Sequence, residues 1–107
     1  MDLEIERAVV AQVVLMGREL ERAEGELRGL IDRLGTDEQA ELVAIMWIGR
    51  GAFEVTDWTE ALETAEAEAS TPCADYLLGT PHFADHIEEG MEALGQPLGD
   101  AEDALLR

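Results

Sequence analysis

Residues 36–51 read TDEQAELVAIMWIGRG and carry a helix-start pattern at one end and a helix-stop residue at the other. Thr36 and Gln39 have the spacing of a capping box, and the two acids between them suit the positive end of a helix dipole. The apolar residues that follow occupy most of the helix circumference: Leu42, Val43, Ile45, Met46 and Trp47. We therefore predict a helix over 36–50 that is buried on most sides and ends at Gly51.

Helix-start signals recur downstream of this segment. Thr56 is expected to cap a helix reaching about residue 69, and the Thr-Pro pairs at 71–72 and 80–81 are expected to start two more, ended by Gly79 and Gly95. No stretch alternates with period two, so we predict an all-α fold, a small bundle of about five helices. The chain should form a single helical domain over 1–107, with an N-terminal region (1–34), a helical core (36–95) and a tail (96–107) that adds a weak last turn.

The N-terminal region carries an apolar heptad repeat, which makes it the leading candidate for an interface. A continuous helix over about residues 3–34 would be roughly 48 Å long. It would overhang a domain of about 13 Å radius of gyration and expose the repeat to a partner, most simply a second copy in a homodimer. The alternative is a break near Gly17 or Gly25 that folds two shorter helices into one bundle. The predicted interface residues, here called the seam, are Val9, Val13, Met16, Leu20, Leu27, Leu30 and Leu34.

Composition limits the function classes. The 107 residues include 25 acids and 7 basic residues, all of them arginine, for a net charge of −18. Such a chain should repel nucleic-acid backbones and anionic membranes, so we expect neither as a direct partner. Cys73 has no second cysteine with which to form a disulfide, and the acids near the N-terminus stand where a secretory signal would be basic. These features predict a cytoplasmic protein.

An acid ridge on the helix after Thr56 is the second candidate interface. It consists of Asp57, Glu60, Glu63, Glu66 and Glu68, and that helix has no basic residue. One interpretation is a docking face for a basic protein partner. The other is an ordinary solvated helix face, and a salty habitat is a further interpretation of the acidity of the chain as a whole. A third functional hypothesis is a nucleic-acid mimic that occupies the basic groove of another protein.

Two candidate chemical sites complete the sequence evidence. His82, His86 and Glu89 have helical spacing that could hold a transition metal, the one cofactor that we consider, although both histidines could equally be satisfied by water or backbone. Cys73 follows Pro72 at a helix start, where the dipole could lower its pKa, although a free cysteine is more often a small buried hydrophobe. No residue is assigned a catalytic role, and the sequence does not decide whether the protein is an enzyme.

Two strings carry a family resemblance: EQAELVAIMWIGRG at 38–51 and ADYLLGTPHFADHIEEGMEALG at 74–95. Together with Asp57-Trp58 and Ala61-Leu62, they resemble an uncharacterised bacterial family, domain of unknown function 3775. The resemblance covers about residues 30–95, and YLLGTP is its most specific part. It implies a small helical cytoplasmic protein and transfers no catalytic residue, because no activity is established for the family. We expect a non-enzymatic protein–protein interaction module, with a metal-dependent protein as the alternative.

Overall fold

The computed structural model describes residues 2–106, and these form helices without any β-strand. The α-helices are α1 (Arg7–Gly17), α2 (Leu20–Arg33), α3 (Thr36–Arg50), α4 (Trp58–Ala67), α5 (Cys73–Leu78), α6 (Phe83–Ala93) and α7 (Gly99–Leu105), with a 3₁₀ turn at Val55–Asp57. The all-α prediction is confirmed. The prediction of about five helices was too low, because the N-terminal region forms two helices and the tail forms α7. No helix in the described part of the chain is long and apolar enough to cross a membrane.

The N-terminal region forms two helices with a break at Gly17, which confirms the predicted alternative of a broken helix. The longest dimension of the molecule is 35 Å, whereas one continuous helix would need roughly 48 Å. α1 and α2 instead pack against each other. A Cβ on Gly17 would lie only 2.8 Å from the ring of Phe83, so the missing side chain lets α6 approach the end of α1. Gly25 has open space around it and stays inside α2.

α3 is the central helix, and it packs against α4, α5 and α6. Its buried residues surround the helix axis, as the sequence predicted: Ala40, Glu41, Leu42, Ala44, Ile45, Met46, Trp47 and Ile48. The predicted stop at Gly51 is confirmed, because this residue has the left-handed φ of 86° that ends the helix. The cap at the other end differs from the prediction. Gly35 is the N-cap, and its N–H donates to the Glu38 carboxylate at 2.9 Å.

Two glycines allow the backbones of α3 and α6 to meet. A Cβ on Gly49 would overlap the carbonyl oxygen of His86, and a Cβ on Gly90 would overlap the carbonyl oxygen of Ile45. No rotation of a side chain could relieve either overlap, because each neighbour is main chain. The close approach of α3 and α6 therefore depends on glycine at both positions.

A buried carboxylate fixes the N-terminal segment to α3. Glu41 is 5% exposed and is the buried charged residue of the described core. Its Oε1 accepts the N–H of Ile5 at 2.8 Å, and its Oε2 accepts the N–H of Glu4 at 2.9 Å. Burial raises the pKa of Glu41, and the two N–H donors act in the opposite direction. The segment before α1 is thus held by hydrogen bonds to a carboxylate that is largely removed from water.

Candidate functional site

A groove of about 520 Å³ lies between α3, the C-terminal end of α4 and the start of α5. The α3 wall contributes Gln39, Val43 and Trp47, and the opposite wall includes Glu68 and Tyr76. No arginine lies among its lining residues in the described structure. This volume is in the usual range for ligand pockets, so the groove is the first place to look for a binding function.

Two aromatic residues, Trp47 and Tyr76, line the groove. The indole Nε1–H of Trp47 donates to the hydroxyl of Tyr76 at 2.9 Å, and the two rings meet edge to face with centroids 6.5 Å apart. Phe53 stacks on Trp47 at a centroid distance of 5.6 Å. The Tyr76 hydroxyl accepts one hydrogen bond here and keeps its own O–H proton to donate. Since Trp47 is 8% exposed and Tyr76 is half-buried, the pair offers a limited, rigid aromatic surface together with a polar group.

Cys73 lines the same groove but is not activated. Its Sγ lies 3.8 Å from the carbonyl oxygen of Gln39. Burial raises the pKa of the thiol to about 12, and the nearby negative charge of Asp32 contributes. The hypothesis that this pKa is lowered is wrong, because loss of water raises it instead. Cys73 is a neutral thiol at physiological pH.

The acid ridge lies beside the groove, on α4 and the turns that flank it. Glu60, Glu63, Glu66 and Glu68 are exposed and Asp57 is half-buried. The Asp57 carboxylate accepts the Glu54 N–H at 3.3 Å. Within residues 2–106, none of the ridge acids forms an ion pair. Glu68 belongs to both features, so uncompensated negative charge extends from the ridge into the groove wall.

The predicted metal ligands are not brought together. α6 begins only at Phe83, and His82 precedes it with a left-handed φ of 59°, outside the regular helix. His82 and Glu89 are exposed, while His86 is half-buried and its Nδ1 has no hydrogen-bond partner. Among the described residues, no group of three or more His, Cys, Asp or Glu side chains could hold a metal ion. The three side chains of the predicted metal site, His82, His86 and Glu89, therefore do not form such a group, and His82 lies one residue before the helix that the predicted spacing assumed.

The seam residues pack within one chain. Val13 and Leu27 are fully buried. Val9, Met16, Leu20, Leu30 and Leu34 are partly buried against the same core. The break at Gly17 divides the seam between α1 and α2, and these two helices pack against each other. Self-association stays a prediction, without an exposed heptad face to support it.

A charge cluster that the sequence analysis missed joins α1, α6 and α7. The Arg18 guanidinium lies 2.7 Å from Glu88, 3.3 Å from Asp85 and 3.4 Å from Glu102. Partial burial and the neighbouring Glu88 raise the pKa of Glu102. No sequence spacing reveals this cluster, because Asp85 and Glu102 lie 67 and 84 residues beyond Arg18. Its acids are engaged in holding the helices together.

The fold and its surfaces define a small, acidic, all-helical domain with an aromatic-lined groove beside unpaired carboxylates. Residues 24–96 match the family model described as Protein of unknown function (DUF3775), and the chain belongs to that family. The resemblance noted over residues 30–95 is thereby confirmed. The matched region runs from α2 to just past α6, so it contains the groove and the acid ridge. No curated protein and no solved structure matches the chain.

Proposed function

We propose that the protein is a non-enzymatic interaction module that binds a basic segment of a partner protein along the acid ridge. The observation that carries this proposal is that the ridge carboxylates have no ion-pair partner among the described residues and that one of them, Glu68, lines a groove whose described lining contains no arginine. By contrast, the acids around Arg18 are already engaged with their own chain. Apart from Asp57, whose carboxylate accepts the Glu54 N–H, the ridge is therefore negative charge that is not engaged in holding the described part of the fold together.

The physical basis is charge complementarity. A basic segment would be attracted over a distance of about 10 Å at an ionic strength of about 0.1 M, and over a longer distance at lower salt, and this attraction raises the association rate. Each exposed ion pair contributes about 0.5 kcal/mol, so affinity requires several contacts along the helix. The ridge supplies five acids over three helical turns, which matches an extended or helical basic segment better than a single cation.

The experiment measures binding of a fluorescein-labelled nonalysine peptide by fluorescence anisotropy. The ridge variant is Glu60→Gln/Glu63→Gln/Glu66→Gln. The matched control, Glu21→Gln/Glu26→Gln/Glu92→Gln, removes the same number of exposed acids from α2 and α6. We expect the ridge variant to bind about tenfold more weakly and the control to bind like the parent protein. Equal weakening in both variants would show that only net charge matters, and the proposal would fail.

The other predicted roles are tested by further measurements on the same purified protein. A nucleic-acid mimic would be a special case in which the basic partner is itself a DNA-binding protein, and duplex DNA would then compete with it. Homodimer formation is tested by the mass in solution across a dilution series. A cytoplasmic location is part of the proposal, which assumes a partner in the same compartment.

A further inference from the structure

We propose that the groove between α3, α4 and α5 is an anchor pocket for one arginine side chain of the basic segment. This inference rests on the proposed function and adds the residue type that the partner must present. It assigns to the groove a role that the ridge alone cannot perform, namely discrimination between two basic residues of equal charge.

Aromatic surface is the first argument. A guanidinium is planar and weakly hydrated, and it stacks on indole and phenol rings, whereas an ammonium is compact and strongly hydrated. Trp47 and Tyr76 both line the groove, held at fixed geometry by their 2.9 Å hydrogen bond and by Phe53 behind the indole. Trp47 is 8% exposed and Tyr76 is half-buried, so the ring surface that a guanidinium can reach is limited, but it is already in place before a ligand arrives and little ordering is required on binding.

Charge is the second argument. Glu68 supplies a carboxylate on the groove wall, and a carboxylate can accept two parallel hydrogen bonds from a guanidinium. At Cys73, which lines the groove, the nearby Asp32 carboxylate also makes the local field negative. In the described structure no arginine of the chain lines the groove to neutralise this field. A cationic group is thus the ligand that the electrostatics favour.

Shape is the third argument. Small apolar residues, Ala40, Val43, Ala65 and Ala69, line much of the groove. They suit the methylene stem of arginine, whose charged end can then reach the aromatic pair and Glu68. The volume of about 520 Å³ leaves room for this side chain and part of the main chain that carries it. A short aliphatic side chain would leave the polar groups of the groove unused.

The test compares two peptides, nonalysine and the same peptide with arginine at its fifth position. We expect the arginine peptide to bind the parent protein about tenfold more tightly, the increment of a partly desolvated cation–π contact. Ala69→Phe places a ring in the groove from an exposed position of its wall. This variant should bind nonalysine as before and lose the preference for arginine. The matched control is Ala67→Phe, an exposed position outside the groove lining, which should retain the preference.

A spectroscopic readout protects the test against a variant that fails to fold. In ¹H–¹⁵N spectra of the parent protein, the Trp47 indole N–H signal should shift with the arginine peptide and remain in place with nonalysine. If nonalysine binds and arginine gives neither added affinity nor an indole shift, the pocket is refuted while the ridge function stands. A peptide with phenylalanine at the fifth position that shows the same gain would also refute it. If neither basic peptide binds, the proposed function fails together with the pocket.

Discussion

Replacing Gly49 with alanine tests the contact between the backbones of α3 and α6. The new methyl group would overlap the His86 carbonyl oxygen and would also lie 2.7 Å from the Gly90 nitrogen. Overpacking costs about 1–3 kcal/mol, and the upper end applies here because main-chain atoms cannot rotate away. Higher helix propensity returns about 1 kcal/mol. The net loss of unfolding free energy should be about 2 kcal/mol, which lowers the Tm by roughly 10 °C.

The matched control is Gly25→Ala. Gly25 also lies inside a helix, but nothing is within 4 Å of the Cβ that it would gain. This substitution should therefore show the propensity gain alone, about 1 kcal/mol of added stability and a Tm raised by roughly 5 °C. Thermal melts followed by circular dichroism at 222 nm measure both variants. Because the two substitutions are chemically identical, their opposite signs isolate the tertiary contact.

A second alanine at Gly90 extends the same test. Gly90 faces the Ile45 carbonyl across the same crossing, so Gly90→Ala should also destabilise the protein. Once the first methyl group has moved the helices apart, the second should cost less, and the double variant should lose less than the sum of the single losses. If Gly49→Ala instead raises the Tm as much as Gly25→Ala does, then α3 and α6 do not meet through their backbones and the reasoning is refuted.

Further predictions concern Glu41 and Cys73. Glu41→Ala leaves the Glu4 and Ile5 N–H groups without their acceptor. We therefore expect the free energy of unfolding, measured in urea melts, to fall by about 3 kcal/mol, and the amide of Ile5 to exchange its hydrogen faster. Unchanged exchange at Ile5 would contradict the contact. Because the folded-state pKa of Glu41 is raised, its contribution to stability should be full below pH 4.5 and fall as pH rises through that raised value. The stability advantage of the parent protein over Glu41→Gln should therefore shrink as the pH rises over this range. A growing advantage would show that folding lowers the pKa of Glu41 instead. With a pKa of about 12, Cys73 should react with iodoacetamide at pH 8 about a thousandfold more slowly when folded than in urea; comparable rates would show an accessible thiolate.

Local signals in the sequence predicted the helices well. Capping residues, Thr-Pro pairs and glycine stops act within four or five residues, so the positions of α3, α5 and α6 could be anticipated to within a few residues. The cap of α3 shows the limit of such signals. Gln39 has the right spacing for a capping box, yet its Nε2–H donates to the Ile31 carbonyl at 2.8 Å and joins α3 to the end of α2.

The candidate site was only half predictable. The acid ridge follows directly from the order of residues on α4. The groove does not, because Trp47 and Tyr76 approach each other only after α3 and α5 have packed. The metal hypothesis also depended on a conformation that local signals do not set. It assumed that His82 continues the helix of His86, whereas the chain turns into a left-handed conformation at that residue.

The sequence by itself determined the all-α class, the strong negative charge, the membership of a family and most helix ends, since each depends on composition or on neighbours along the chain. The tertiary structure decided which glycine breaks the N-terminal helix, where the seam is buried, and which groups the carboxylates of Glu41 and Glu88 meet. These outcomes depend on contacts between residues far apart in sequence. Burial then sets the pKa of Glu41 and Cys73 through loss of water, a quantity that exists only once the helices have packed.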